Sequence, residues 1–301
     1  MSVTIEPIKP LIGGLVHVDK AHLCDDDVVH AVRTSLEERG VLVFPQINVS
    51  DAEQLAFTDR LGKRINFSSR VPGADVDTPD VYKVTLDKEI NNEPEYVLGT
   101  FFWHVDGVTI DQPLPKATVL SARHLSADSL SKEGGATEFA NLYAAYDQLP
   151  DAEKDELEEL WVVHSLEASV RPVFGMPPQE RIDRWRSMAN CMEQPLVWTH
   201  EDGRKSLLVG THADGIVGWP NPHGRALLMR LLQWAGQPEF VYRHHWQVGD
   251  LVIWDNQGVM HRVVPYTDQK RVMHRTSIGS DQKPGHEAAP GTLDKLLEVA
   301  A

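Results

Sequence analysis

A histidine and an aspartate two positions apart, His104 and Asp106, end an apolar run of the sequence, 101–107 (FFWHVDG). Side chains two residues apart point to the same face of a β-strand, so this spacing predicts that both enter one cavity while Gly107 lets the chain turn away. Imidazole and carboxylate groups are both metal ligands. The pair alone indicates a metal site only weakly, because a surface pair or a hydrogen-bonded pair has the same spacing.

A third candidate ligand, His261, follows a predicted strand, turn and strand at 250–261 (DLVIWDNQGVMH). Two imidazoles and one carboxylate on one face of an iron(II) ion leave positions open for a bidentate oxo-acid and for oxygen, which is the arrangement in non-haem iron oxygenases. We therefore predict that His104, Asp106 and His261 bind a metal ion and form the catalytic centre.

Two arginines, Arg271 and Arg275, follow His261 on the next predicted strand. They are four positions apart, so we expect them on one face of that strand, where each could pair with a carboxylate or sulfonate through two hydrogen bonds. The formal net charge of -15 disfavours nucleic acids as partners. An anionic small molecule would need a local positive cluster of this kind to overcome the overall field.

The elements that must position these residues are mostly short strands with turn residues between them. The chain has 301 residues, 42% hydrophobic and 24% charged, which suits one globular core. Because alternating βαβ units are not sustained, we predict a single domain, 1–301, that is mainly β with flanking helices and folds as a jelly roll, or double-stranded β-helix. The predicted helices are 25–40, 50–61, 141–160 and 221–236, and the main predicted strands are 41–44, 81–86, 116–124, 136–140, 161–166, 206–210, 240–246, 251–254, 259–264 and 272–278.

Two segments, 66–100 and 171–199, have few clear elements, and the first is rich in Asn, Pro, Asp and Gly. Long loops inside a compact domain are often lids or binding loops, so we expect these segments to enclose a substrate. The tail after Gly279 is expected to be loose.

No apolar run approaches the length of a membrane helix, and the start of the sequence lacks a basic region followed by an apolar stretch. We therefore expect a cytoplasmic protein without a membrane partner. The two cysteines, Cys24 and Cys191, are far apart and lie outside any CxxC pattern, so they are expected to be free thiols.

The sequence closely resembles the taurine dioxygenase and 2,4-dichlorophenoxyacetate dioxygenase family of 2-oxoglutarate-dependent oxygenases. Five motifs in matching order carry the resemblance, and together they span most of the chain. They are WHVDG at 103–107, GGATEF at 134–139, VHSL at 163–166, WDNQGVMHR at 254–262 and RVMHR at 271–275.

This resemblance implies a double-stranded β-helix and an Fe(II) ion bound by His104, Asp106 and His261. It implies that Arg271 and Thr137 bind the distal carboxylate of the co-substrate 2-oxoglutarate, and that O2 is consumed with release of succinate and CO2. Arg275 then matches the family's contact to the anionic group of the substrate. We also expect a homo-oligomer, because oligomers are common among such folds.

The expected substrate is a small carboxylate, sulfonate or sulfate ester, which would be hydroxylated and would fragment where the attacked carbon bears a heteroatom. Taurine is not expected, because the region that supplies a histidine in taurine enzymes reads NFSSR at 66–70. Halogenation is disfavoured by Asp106, since related halogenases have a small residue there.

The main alternative is a metal-binding jelly-roll protein without oxygenase activity, such as a cupin-like isomerase or a sensor. It accounts for the three metal ligands but not for Arg271, Arg275 or Thr137. A zinc hydrolase is weaker still, because the sequence has no HExxH motif.

Overall fold

The computed structural model describes residues 3–66, 80–91, 93–125, 134–189 and 191–298, and these ranges are mainly β with helices around them. The α-helices are α1 (Asp26–Arg39), α2 (Asp51–Leu61), α3 (Leu142–Asp147), α4 (Asp151–Glu158), α5 (Leu166–Phe174), α6 (Gln179–Met188), α7 (Asn221–Ala235) and α8 (Thr292–Glu298), and 3-10 helices cover Lys20–His22 and Pro94–Phe101. The strands are β1 (Thr4–Pro7), β2 (Gly14–His17), β3 (Val41–Phe44), β4 (Arg64–Ile65), β5 (Tyr82–Val84), β6 (Ala117–His124), β7 (Thr137–Asn141), β8 (Trp161–His164), β9 (Met192–Pro195), β10 (Val197–Thr199), β11 (Lys205–Leu207), β12 (Ala213–Ile216), β13 (Val241–His244), β14 (Leu251–Asp255), β15 (Val259–Val263), β16 (Val272–Ile278) and β17 (His286–Glu287). Among the described residues, none of the helices combines the length and the apolar composition needed to cross a membrane.

The largest sheet has the strand order β1-β2-β3-β14-β6-β16-β4, with β5 also paired to β16. Its neighbours are antiparallel except for β2 and β3, which run parallel. A three-stranded antiparallel sheet, β13-β7-β15, carries His261. Two smaller sheets, β12-β8-β9-β17 and β10-β11, complete the β structure of the described ranges.

Alternation along β14 shows how the layers are arranged. Leu251 and Ile253 pack with the buried side chains of α1 and α2 on one face of the large sheet. Val252 and Trp254 point to the other face, where they join Phe139 of the three-stranded sheet in a second core cluster. The large sheet therefore has helices on one face and the smaller sheet on the other, and the mainly β prediction with flanking helices is confirmed.

The two N-terminal helices follow the predicted pattern closely. The buried side chains of α1 are Val28, Val29, Val32 and Leu36, as its apolar spacing indicates. Helix α2 begins with the predicted capping box, in which the Ser50 hydroxyl accepts from Glu53 N–H and the Glu53 carboxylate accepts from Ser50 N–H.

Three local predictions were wrong. Residues 101–106 are not a strand: a 3-10 helix ends at Phe101, and His104 makes a single β-bridge. The strand predicted to continue to Leu166 ends at His164, because the Ser165 hydroxyl accepts from Ala168 N–H and starts α5. The tail after Gly279 is not loose throughout, since it contains β17 and α8. Most of the NFSSR stretch, from 67 onward, lies outside the described residues.

Candidate active site

The backbone brings His104 and His261 directly opposite each other. His104 N–H donates to the His261 carbonyl at 3.1 Å, and His261 N–H donates to the His104 carbonyl at 2.9 Å. This reciprocal pair is the hydrogen-bonded position of an antiparallel bridge, which places the two side chains next to each other. The ring centroids are 4.2 Å apart.

Asp106 completes the group predicted from the sequence. One carboxylate oxygen lies 3.9 Å from His104 Nε2, and the other lies 3.7 Å from His261 Nε2. One ligand atom from each residue lies within 4.8 Å of the others, as a single metal ion requires. Gly107, with φ of +85°, then turns the chain through the left-handed region that glycine tolerates best. The structure thus brings the three predicted ligands together without the predicted strand.

The two imidazoles are poised as neutral ligands. His104 Nδ1 donates to the Phe102 carbonyl at 2.8 Å, which leaves the lone pair on Nε2, the nitrogen that faces Asp106. The His261 ring packs against Trp254 with centroids 4.6 Å apart. Burial lowers the pKa of His104 and lowers the pKa of His261 well below its ordinary value, so both rings are uncharged at neutral pH.

Asn256 holds the backbone of Asp106 and was missed at the sequence level, although it lies in the quoted WDNQ motif. Asp106 N–H donates to Asn256 Oδ1 at 3.0 Å, and Asn256 Nδ2 donates back to the Asp106 carbonyl at 3.0 Å. The Asn256 amide therefore makes the two hydrogen bonds to the Asp106 backbone that a neighbouring strand would make if Asp106 lay in a sheet. Asn256 is fully buried, so both hydrogen bonds are protected from water.

Arg275 lies beside Asp106 and not apart from the metal ligands. Its Nη2 donates to Asp106 Oδ2 at 2.7 Å. Burial acts most strongly on the Asp106 carboxyl and would raise its pKa, but Arg275, together with His261 and His104, outweighs burial and lowers the pKa. The carboxylate is therefore ionised and available as a ligand.

Arg271 lies on the same side of the strand as Arg275, as alternation predicts, because it contacts Gly135 and Tyr266 on the side of the small sheet, where Met273 also packs. Arg271 precedes β16, and the register of β16 with β6 shifts between Val272 and Met273. Arg271 is 3% exposed, and its guanidinium donates from Nη2 to the Gly135 carbonyl at 3.1 Å and lies 4.8 Å from the centroid of the Tyr266 ring.

Within the described residues, the Arg271 Nε has no hydrogen-bond partner, and no carboxylate forms a salt bridge with this side chain. Gly135 has a φ of +82°, and a Cβ atom there would lie 3.2 Å from that nitrogen. The glycine therefore keeps space open beside a buried guanidinium that can still receive an anion.

Thr137 is the first residue of β7 and is buried. Its hydroxyl accepts a hydrogen bond of 2.9 Å from the Trp246 indole N–H. The family resemblance pointed to Thr137 but not to Trp246, because a tryptophan is most often a core residue.

A cavity of ≈ 540 Å³ opens beside the candidate metal ligands His104 and Asp106. Among the described residues of its wall, Arg275 is the one arginine or lysine. Both predicted substrate segments contribute to this wall, which is otherwise largely apolar. Residues from them that line it include Tyr82, Tyr96, Val97, Thr100, Met188 and Ala189.

Two further histidines support the backbone between the ligands. His212 lines the cavity, and its Nε2 accepts from Val105 N–H at 3.1 Å. His212 Nδ1 must then carry the hydrogen, and it donates to His164 Nδ1 at 2.7 Å. Burial lowers the pKa of His164 to about 3, so the pair is neutral. His212 thus fixes Val105, the residue between His104 and Asp106.

On the outer face of the small sheet, Glu138 joins two strands through arginines. Its carboxylate accepts from Arg262 Nε at 2.6 Å and from Arg243 Nε at 2.8 Å. The Arg262 guanidinium also stacks 4.5 Å from the Trp103 ring centroid. Since Trp103 and Arg262 are the chain neighbours of His104 and His261, this cluster supports both histidines from behind.

Residues 4–277 match the family described as taurine catabolism dioxygenase TauD, TfdA family. An alpha-ketoglutarate-dependent 2,4-dichlorophenoxyacetate dioxygenase of Cupriavidus pinatubonensis is 35% identical over 275 residues, covering 87% of this chain and 92% of the relative. An alkylsulfatase of Acinetobacter baylyi is 31% identical over 288 residues, covering 91% of this chain and 84% of the relative. The crystal structure of AAD-2 in complex with Mn(II) and N-oxalylglycine is similar with a TM-score of 0.76 and 32% identity, over 94% of this chain and 99% of AAD-2.

These similarities extend through both facing sheets and through every motif that carried the sequence resemblance. The family match begins at β1 and ends within β16, so it includes all three candidate metal ligands and both arginines. The relatives are matched over most of their own length as well. This protein is therefore a member of the taurine catabolism dioxygenase TauD, TfdA family.

Proposed function

We propose that this protein is an Fe(II)- and 2-oxoglutarate-dependent dioxygenase that hydroxylates a small organic anion. One observation carries the proposal: three side chains that could hold a metal ion lie within 4.8 Å of one another beside a cavity, with Arg275 in its wall. A second, buried arginine, Arg271, has an Nε without a hydrogen-bond partner among the described residues. The 35% identical relative, an alpha-ketoglutarate-dependent dioxygenase, supports the same activity.

In this proposal iron(II) is bound by His104, Asp106 and His261. Two imidazoles and a carboxylate are the donor set of non-haem iron oxygenases, and they leave room for the co-substrate and oxygen. The carbonyl of Phe102 fixes His104 in the tautomer that ligation needs. Bound iron(II) supplies the activation of O2, coupled to conversion of 2-oxoglutarate to succinate and CO2.

Arg271 and Thr137 bind the distal carboxylate of 2-oxoglutarate. The unpartnered Nε and the buried position of Arg271 fit a carboxylate, because a buried guanidinium is stabilised by an ion pair. Thr137 adds a hydroxyl that can donate. N-oxalylglycine, which is present in the AAD-2 structure, has the skeleton of 2-oxoglutarate with an N–H in place of one methylene.

The substrate occupies the cavity with its anionic group toward Arg275 and its organic part against the apolar wall. Carboxylates, sulfonates and sulfate esters all fit this description, and the relatives named for 2,4-dichlorophenoxyacetate and for alkyl sulfates support it. The described parts of segments 66–100 and 171–199 enclose the substrate and exclude water, a role supported by the wall residues Tyr82, Tyr96 and Met188.

We further propose that residues 1–301 form one domain whose two facing sheets are a double-stranded β-helix. The shared core between β14 and the three-stranded sheet supports this arrangement. A homo-oligomer and a cytoplasmic location stay predictions, as does the absence of nucleic-acid partners, which the net charge of -15 supports.

The test is a screen of aryloxyalkanoates, alkyl sulfates and alkyl sulfonates for stimulated O2 uptake and succinate formation with iron(II) and 2-oxoglutarate, followed by the product mass. His261→Ala is expected to abolish succinate formation, whereas His223→Ala, at an exposed histidine on α7, leaves it unchanged. Succinate formation by His261→Ala at the wild-type rate contradicts the assignment. A metal-dependent isomerase or sensor would release no succinate at all.

A further inference from the structure

The hydrogen bond between Trp246 and Thr137 has a direction that chemistry fixes. An indole N–H can only donate, so the Thr137 hydroxyl oxygen is the acceptor at 2.9 Å. A threonine hydroxyl has one hydrogen to give and two lone pairs. With one lone pair engaged by Trp246, the hydroxyl hydrogen must point elsewhere, and within the described residues no acceptor receives it.

The position of Trp246 is itself fixed by buried polar groups. Trp246 lies in the connection between β13 and β14, and its ring meets the His244 ring edge-on, with centroids 4.6 Å apart. His244 is the cross-strand partner of Thr137 and is held between Tyr242 OH and Asp250 Oδ2, each at 3.0 Å.

Asp250 closes the connection that carries Trp246. Its carboxylate accepts from Gln247 N–H at 2.8 Å and from Gln46 N–H at 2.9 Å, in addition to the bond with His244. Burial, the largest single influence, would raise the pKa of Asp250, but the hydrogen bonds from His244, Gln247 and Gln46 outweigh it and lower the pKa. The loop that carries Trp246 is therefore held in place by the buried, ionised carboxylate of Asp250.

We propose that Trp246 is a positioning residue for the co-substrate: its indole N–H engages Thr137 Oγ1, so that the threonine O–H is turned toward the distal carboxylate of 2-oxoglutarate. The inference rests on the proposed function, because it needs Thr137 to contact that carboxylate. It assigns a role to Trp246, and to the His244 and Asp250 side chains behind it, that packing alone does not require.

The test compares two oxo-acids on the same protein. 2-Oxobutyrate has the oxo-acid head of 2-oxoglutarate but lacks the distal carboxylate. Binding of each is titrated calorimetrically without oxygen, with Mn(II) in place of iron. Trp246→Phe keeps an aromatic ring and removes the N–H. It is expected to weaken the binding of 2-oxoglutarate about fivefold, as the loss of one hydrogen bond implies, and to leave the affinity for 2-oxobutyrate unchanged.

Trp234→Phe is the matched control, because the Trp234 N–H donates at 2.8 Å to the Ala145 carbonyl, a partner that does not line the cavity. That variant is expected to keep the wild-type ratio of the two affinities. A partly unfolded preparation binds at fewer sites but with the same ratio, so a loss of stability does not hide the result.

A double variant adds an independent readout. Thr137→Val removes the hydroxyl that Trp246 orients, so adding Trp246→Phe is expected to change the 2-oxoglutarate affinity no further. A wild-type affinity ratio in Trp246→Phe, or a full fivefold additional loss in the Thr137→Val background, overturns the positioning role. Failure of the wild-type protein with Mn(II) to bind 2-oxoglutarate would instead overturn the proposed function.

Discussion

Replacement of Arg271 by alanine is expected to weaken 2-oxoglutarate binding by about two to three orders of magnitude. The guanidinium is 3% exposed, and burial lowers its pKa, which means that the surroundings disfavour its charge. A carboxylate arriving there forms a buried ion pair, and removing one partner of such a pair costs about 3–5 kcal/mol. At about 1.4 kcal/mol per factor of ten, the lower part of this range, about 3–4 kcal/mol, corresponds to about 10²–10³ in Kd.

Thermal or urea unfolding with Mn(II) provides the assay. At a 2-oxoglutarate concentration of about 100 times the wild-type Kd, bound ligand stabilises the wild-type protein by about 2.7 kcal/mol. If Arg271→Ala binds about 100-fold more weakly, the same concentration stabilises it by only about 0.4 kcal/mol. Without 2-oxoglutarate, the variant is expected to lose little stability, because the lost contacts with Tyr266 and Gly135 are offset by removal of a buried charge.

Three control measurements show whether the effect is specific to the Arg271 guanidinium. Mn(II) affinity without 2-oxoglutarate should be unchanged in Arg271→Ala, since Arg271 is not among the candidate ligands. Arg225→Ala, which removes an arginine paired with Asp214 outside the cavity wall, should bind 2-oxoglutarate as the wild type does. The 2-oxoglutarate affinity of Arg271→Lys should lie between those of the wild type and Arg271→Ala, because lysine keeps the charge without the planar pair of donors. A 2-oxoglutarate affinity in Arg271→Ala within threefold of wild type refutes the role given to Arg271.

Asn256→Ala removes both hydrogen bonds to the Asp106 backbone and should weaken Mn(II) about 10- to 100-fold in a metal titration, and an unchanged metal affinity would contradict that role. Arg275→Ala should raise the Michaelis constant for the substrate found in the screen more than the constant for the oxo-acid co-substrate, and steady-state kinetics that show the reverse would count against its place in the substrate site. Burial would raise the pKa of Glu138, but Arg243 and Arg262 outweigh burial and lower the pKa. The ionised carboxylate therefore stabilises the fold above its unfolded pKa of about 4.3, and this stabilisation is lost as the pH falls through the lower pKa of the folded state. Glu138→Gln should therefore be less stable than wild type at pH 7 in urea unfolding, with a difference that shrinks below about pH 4, and a constant difference across this range would rule the linkage out.

The grouping of His104, Asp106 and His261 could be predicted from the sequence because two separate motifs together supply two imidazoles and a carboxylate, although the pair at 104 and 106 alone is a weak signal. His104 and Asp106 come together as expected, yet for a different reason from the predicted one. A strand was expected around them, whereas one β-bridge, Asn256 and Gly107 set their geometry. The geometry of His104 and Asp106 is decided by contacts between segments that are distant in the chain, and local periodicity cannot predict such contacts.

The same limit explains which other details the sequence did not predict. Arg271 and Arg275 differ in surroundings because Arg271 meets Gly135 and Tyr266 whereas Arg275 meets Asp106, and all of these contacts join segments that are distant in the chain or lie in different elements. Trp246 looks like a core residue in the sequence, and the local sequence of His212 does not reveal its partner. The roles of both follow only from Thr137 and Val105, which they reach across long separations. The main sheet and helices were predictable because their alternation and caps are local.

The reciprocal main-chain bonds between His104 and His261 imply that loading of the ion and folding of the polypeptide are separable events. The spacing of the two imidazoles is set by amide and carbonyl groups that exist whichever ion is present. Chelators should therefore strip the protein without denaturing it, and manganese, cobalt or nickel should re-enter the same position with little entropic penalty. Such exchange would supply inert or spectroscopically visible substitutes for trapping the enzyme with its reactants.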